Sequence, residues 1–96
     1  MNRNRKGDFA EFYAVTWLWD NGYEVFLNAG CTGAVDMIAM KDGKTVLVDV
    51  KTAVYDATVD RCTQRRVRTD EQKKLGVVFL SFDPDTRKLR WVEHRE

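Results

Sequence analysis

The stretch AVDMIAMKDGKTVLVDVK, residues 34–51, reads as two strands joined by a tight turn. Ala34 to Met40 and Thr45 to Lys51 carry strand patterning, and Asp42-Gly43 between them suits the positive φ angles of a two-residue hairpin turn. That turn sets Lys41 opposite Lys44, and counting back along both strands sets Asp36 opposite Asp49. A four-residue loop from Lys41 to Lys44 gives the same register. Directly opposed side chains on an antiparallel pair have Cβ atoms about 4.5–5.5 Å apart, and like charges there destabilise the pairing. The hairpin therefore needs something to compensate two facing carboxylates.

Alternation sharpens the conflict. Val46, Val48 and Val50 share one face of the second strand, while Thr45, Leu47, Asp49 and Lys51 share the other. Asp36 lies on the same face as Ile38 and Met40. Two carboxylates and an ammonium thus project from a face otherwise marked apolar, where unpaired charges cost several kcal/mol or so each. A divalent cation resolves this, and Mg²⁺ prefers one or two carboxylates completed by waters and phosphate oxygens.

Upstream, residues from about Arg5 to Asn21 are helix-compatible and free of proline, with Asn21-Gly22 as a natural stop. Placed at 100° intervals, Gly7, Ala14, Val15 and Leu18 gather on one stripe with Glu11 in its middle. A glutamate on the sheet-facing side of a helix needs a partner, and Gly7 one turn earlier would let the helix approach the sheet or a phosphate closely. Phe9, Phe12, Tyr13, Trp17 and Trp19 spread around the remaining circumference, so either the later chain wraps over them or a second subunit does.

Ninety-six residues form one domain over 1–96, long enough to bury ~65% of the unfolded chain's surface. Hydrophobic content of 44% and charged content of 32% are those of a soluble globular protein. No apolar run approaches a membrane span and MNRNRKGD lacks a signal-peptide core, so a cytoplasmic protein is expected, with no membrane partner. Cys31 and Cys62 are isolated and His94 is the single histidine, which argues against a zinc site and Cys-His catalysis. Net charge is only +1, but Arg61, Arg65, Arg66, Arg68, Lys73 and Lys74 stand against Asp70 and Glu71 alone, and Arg3, Arg5 and Lys6 against Asp8. Such clusters can contact phosphates, and they can equally be a solvated loop and a frayed terminus.

The rest of the chain completes an α+β pattern. Tyr23 to Leu27 alternates as a strand, and NAGCTG, residues 28–33, is a polar loop whose Asn28 and Thr32 sit beside Asp36 as ordinary loop residues or substrate contacts. Thr52 to Arg68 has no clean period. Thr69 opens a capping box with Gln72, and the short helix stops at Gly76. Val77 to Phe82 is a buried strand, Asp83-Pro84-Asp85-Thr86 a turn, and Lys88 to Glu93 an edge strand.

The order α-β-β-β-α-β-β, with Glu11 in the first helix, Asp36 in GAVDMIAM and Asp49-Val50-Lys51 as D-x-K, resembles the PD-(D/E)xK nuclease superfamily. Lys-Gly-Asp-x-Ala-Glu in the helix and the Gly-Tyr-x-Val strand after it are most similar to archaeal Holliday-junction resolvases and related small phage nucleases. These motifs span Gly7 to Lys51; no proline precedes Asp36, and Asp49 stands where glutamate is commoner. The resemblance implies a restriction-endonuclease-like α/β core with a mixed sheet of about five strands and helices packed on it. It implies a Mg²⁺-dependent endonuclease, with Mn²⁺ as a substitute and no organic cofactor, acting on double-stranded or branched DNA as a homodimer. Asp36 and Asp49, with the Val50 carbonyl, would hold the metal; Glu11 would bind a second ion directly or through water; Lys51 would orient or deprotonate the attacking water. Arg3, Arg5, Lys6, Arg61, Arg65, Arg66 and Arg68 would grip the DNA backbone. Asp-x-Lys alone is a common surface pair, and a catalytically inactive binding module on the same fold is the alternative.

Overall fold

The computed structural model describes residues 3–30, 32–63 and 67–94, with backbone only for Arg3 and for residues 61–63. Element order is α1 (Arg3–Asp20), β1 (Glu24–Leu27), β2 (Met37–Lys41), β3 (Lys44–Thr52), β4 (Val54–Asp56), β5 (Arg61–Thr63), α2 (Asp70–Leu75), β6 (Val78–Phe82) and β7 (Leu89–Trp91). Five strands form a mixed sheet in the order β1-β2-β3-β6-β7, antiparallel except for the parallel pair β3 and β6.

The hairpin forms in the expected register. Lys41 pairs with Lys44 and Met37 with Val48, around a turn in which Asp42 (φ 53) and Gly43 (φ 75) both take the left-handed region. The first strand begins later than its sequence pattern, at Met37, because Asp36 turns its carboxylate back onto the ladder instead of continuing it.

α1 covers the valine face. Ala10, Ala14, Val15 and Leu18 are buried, and the last three pack with Met37, Ala39, Val48 and Leu80. The helix ends in a Schellman arrangement, with Gly22 at φ 88 and the Tyr23 and Gly22 amides donating to the carbonyls of Leu18 and Trp19. Of the aromatic residues on α1, Phe9 and Tyr13 pack on Phe82, and Trp17 packs on Trp91, so the later strands cover that flank. Phe12 and Trp19 on the other flank stay exposed. Gly7 is also exposed, and a Cβ built on it meets nothing within 4 Å, so it does not serve a close approach to the sheet.

Parallel neighbours need a crossover, and α1 already occupies one face. The β3-to-β6 connection therefore puts α2 over the other, the face of Asp49, Lys51 and Phe79. Along that connection, β4 and β5 pair as a separate two-stranded ribbon where the sequence has no clean period. Its turn is local: Asp56 Oδ1 accepts from the amide and hydroxyl of Thr58, and Asp60 takes φ 51. Among the described residues no helix is long and apolar enough to cross a membrane.

Candidate active site

The site sits where the hairpin's open end meets α2. The Asp36 amide donates to the Val48 carbonyl at 2.8 Å, and Asp36 Oδ2 accepts from the Val50 amide at 2.7 Å. This side-chain bond turns the Asp36 carboxylate toward Asp49, near enough for each carboxyl group to feel the other. Burial, then the hydrogen bond to Asp49 and the Asp49 charge, push Asp36 up to about 7, against the lowering effect of the Val50 amide.

Asp49 is 8% exposed. Its Oδ2 receives two donors, Lys51 Nζ at 3.2 Å and Gln72 Nε2 at 2.7 Å. Lys51 shares a face with Asp49, as alternation requires; its side chain is 44% exposed and its ammonium lies 5.4 Å from the Phe79 ring centroid. The conflict expected on this face is thus partly resolved by protein groups: an ammonium, a neutral amide and a backbone N–H.

Glu11 is half-buried on α1. Burial first, then the charges of Asp8 and Asp49, hold its carboxyl above the ordinary range. It lies in the layer on the valine side of the sheet, within electrostatic reach of the aspartates. Among the described residues no three acidic, cysteine or histidine side chains come close enough to share one metal ion. Two adjacent carboxylates, already crowded enough to retain a proton, are nevertheless a donor set that suits a hard divalent cation completed by water.

The basic residues separate by surroundings. Arg5 and Lys6 are exposed on the first turns of α1, and Lys6 shares a groove of about 740 Å³ with Lys51, Tyr55 and Arg87. Arg68 is half-buried, with Nη1 donating to the Val77 carbonyl at 3.1 Å, so it braces the approach to α2 instead of presenting its charge outward. Arg65 and Arg66, the side chains of Arg3 and Arg61, and both cysteine side chains lie outside the described residues. Asn28 organises the loop before Asp36: Nδ2 donates to the carbonyls of Thr32 and Val35, and Oδ1 accepts from the Gly30 amide.

Gln72 is the site neighbour that the sequence reading places only in a capping box. A signal for it existed. A capping glutamine uses its oxygen on the helix start, so its NH₂ is left to find an acceptor, and the crossover argument puts that helix over Asp49.

Comparison with known proteins agrees with this layout. No curated protein matches the chain. Among solved structures, the bacterial homing endonuclease I-Ssp6803I superposes with a TM-score of 0.79 at 18% identity, covering 96% of this chain and 69% of that one. That similarity establishes the restriction-endonuclease-like fold. The family model for the archaeal Holliday junction resolvase (hjc) matches residues 2–78. With most of its length inside that match, and Glu11, Asp36, Asp49 and Lys51 all within it, the chain belongs to the archaeal Holliday junction resolvase family of PD-(D/E)xK nucleases.

Proposed function

We propose that the protein is a Mg²⁺-dependent DNA endonuclease that cuts branched DNA, a four-way junction in particular, and acts as a homodimer whose two sites address opposing strands. The observation that carries the reading is the pairing of Asp36 with Asp49 at the hairpin's open end, with Lys51 on the same carboxylate.

Asp36 and Asp49, with the Val50 carbonyl, would hold the cation. When bound, the ion supplies positive charge against the scissile phosphate and lowers the pKa of the attacking water. The Val50 amide aims the Asp36 carboxylate. Lys51 has a half-exposed side chain with room to orient the water or meet charge developing on phosphate. Glu11, on the neighbouring layer, would serve a second ion directly or through water. Lys6 and Arg5 contact the DNA backbone beside the groove, and Arg3, Arg61, Arg65 and Arg66 extend that contact. Arg68 is left out of this set because it is tied to Val77.

The test is incubation of labelled four-way junction, duplex and single-stranded DNA with and without Mg²⁺. Junction cleavage that needs Mg²⁺, and that falls by about 10²–10⁴-fold in both Asp49→Asn and Lys51→Ala, is expected. The absence of a three-carboxylate cluster among the described residues favours the second reading, an inactive binding module. Metal-indifferent binding without cleavage would establish that module instead.

A further inference from the structure

α2 has six residues and one buried side chain, Gln72. Every polar atom of that side chain is engaged. Oε1 accepts from the Thr69 amide at 3.0 Å, while Nε2 donates to Asp49 Oδ2 at 2.7 Å and to the Ala34 carbonyl at 3.3 Å. The orientation of the amide is dictated by its neighbours. Reversing it would set an oxygen against a carboxylate and a carbonyl, and an NH₂ against an N–H. The other half of the capping box, the Gln72 amide on Thr69 Oγ1 at 3.1 Å, fixes the residue's backbone as well.

We infer that Gln72 is a positioning residue for the nuclease site, holding Asp49 with a neutral donor while the same nitrogen ties down Ala34 in the loop that leads to Asp36. This role rests on the function proposed above. The physical need is specific. Asp49 faces another carboxylate and would swing away from it unless one oxygen were anchored, and Lys51, the other group on that oxygen, is half-exposed and has its own task. An arginine in place of Gln72 would anchor Asp49 as firmly, but its charge would compete with a cation. An amide anchors the carboxylate and leaves its charge available. One amide also bridges β3 and the loop that enters β2, so the placement of the two metal-binding acids is set from α2 and not by the turn alone.

The experiment compares Gln72→Met with Thr69→Ala, and follows Mg²⁺ binding to the DNA-free protein by thermal shift and calorimetry alongside junction cleavage. Gln72→Met is expected to raise the Mg²⁺ concentration needed for half-maximal stabilisation, and for half-maximal cleavage, by about 10–100-fold. Thr69→Ala breaks the reciprocal cap but spares the Asp49 contact, so it should lower the melting temperature and leave the Mg²⁺ half-point in place. A measurement on the unmodified protein guards against a variant that does not fold. The side-chain NH₂ resonances of Gln72, one of only two glutamines, should move on Mg²⁺ addition and in Asp49→Asn. If both variants lose stability with no change in the Mg²⁺ half-point, or the Gln72 resonances ignore Mg²⁺ that demonstrably binds, Gln72 only caps α2 and the inference fails alone. If the unmodified protein neither binds Mg²⁺ nor cleaves DNA, the nuclease reading fails and takes the inference with it.

Discussion

Among the described residues, Asp36 carries the strongest pH signature. Its folded-state pKa of about 7 stands above the ordinary 3.8. For a raised carboxyl, the stability supplied by the neutral form is fully present below about pH 4 and is lost as pH rises through 7. Asp36→Asn mimics the neutral form and keeps an oxygen for the Val50 amide. In EDTA it is expected to melt above the unmodified protein by a margin that grows from pH 4 to 7 and then levels off, about 4–8 °C for each kcal/mol recovered. Circular dichroism melts across that range check this; a margin independent of pH would place the destabilisation elsewhere. The same proton opposes metal. Mg²⁺ affinity measured calorimetrically should rise about tenfold per pH unit below 7 and flatten above it, because binding displaces that proton.

The hairpin and α1 make separable contributions. Gly43 holds φ 75 with open space around it, so Gly43→Ala should cost about 1–2 kcal/mol through backbone strain alone. Leu18 is fully buried against the valine face, while Trp19 beside it is 61% exposed. Leu18→Ala should therefore lower unfolding free energy by about 2–5 kcal/mol, and Trp19→Ala by no more than about 0.5 kcal/mol. Urea titrations of the two variants test which stripe of the helix is core. A large loss for Trp19→Ala, dependent on protein concentration, would instead mark that flank as a subunit contact. The helix is anchored at its end as well as along its face: Lys41 Nζ donates to the Asn21 carbonyl at 2.7 Å and lies over the Tyr23 ring, tying the hairpin's turn to the Schellman stop.

For the molecule on DNA, two cations that look alike in sequence should behave differently. Lys6 is exposed on the groove beside Lys51, so Lys6→Ala should weaken binding to all DNA forms and reduce the slope of log affinity against log salt by about 1. Arg68→Ala should leave that slope unchanged and lower the melting temperature, because its guanidinium serves the Val77 carbonyl. Filter binding at several salt concentrations separates them. The proposed homodimer adds a stoichiometric expectation. Mixing with a large excess of Asp49→Asn should yield junctions cut on one strand only, whereas a monomeric enzyme would simply be diluted.

The sequence alone determined whatever depends on near neighbours and on period. The Asp42-Gly43 turn set the register of β2 on β3 as far as Met37 and Val48, strand alternation placed Lys51 beside Asp49, and Thr69 with Gln72 and Gly76 bounded α2, all because backbone geometry reads residues a few positions apart. Alternation names a face but not the layer that covers it. It left undecided that Gln72 reaches Asp49 from 23 residues away and that the Arg68 guanidinium donates to a carbonyl. The β4–β5 ribbon escaped notice for a related reason, since three-residue strands are too short to show a period. Those features were decided by tertiary packing, where a buried donor or carboxylate must take a partner from whichever distant segment the topology brings against it.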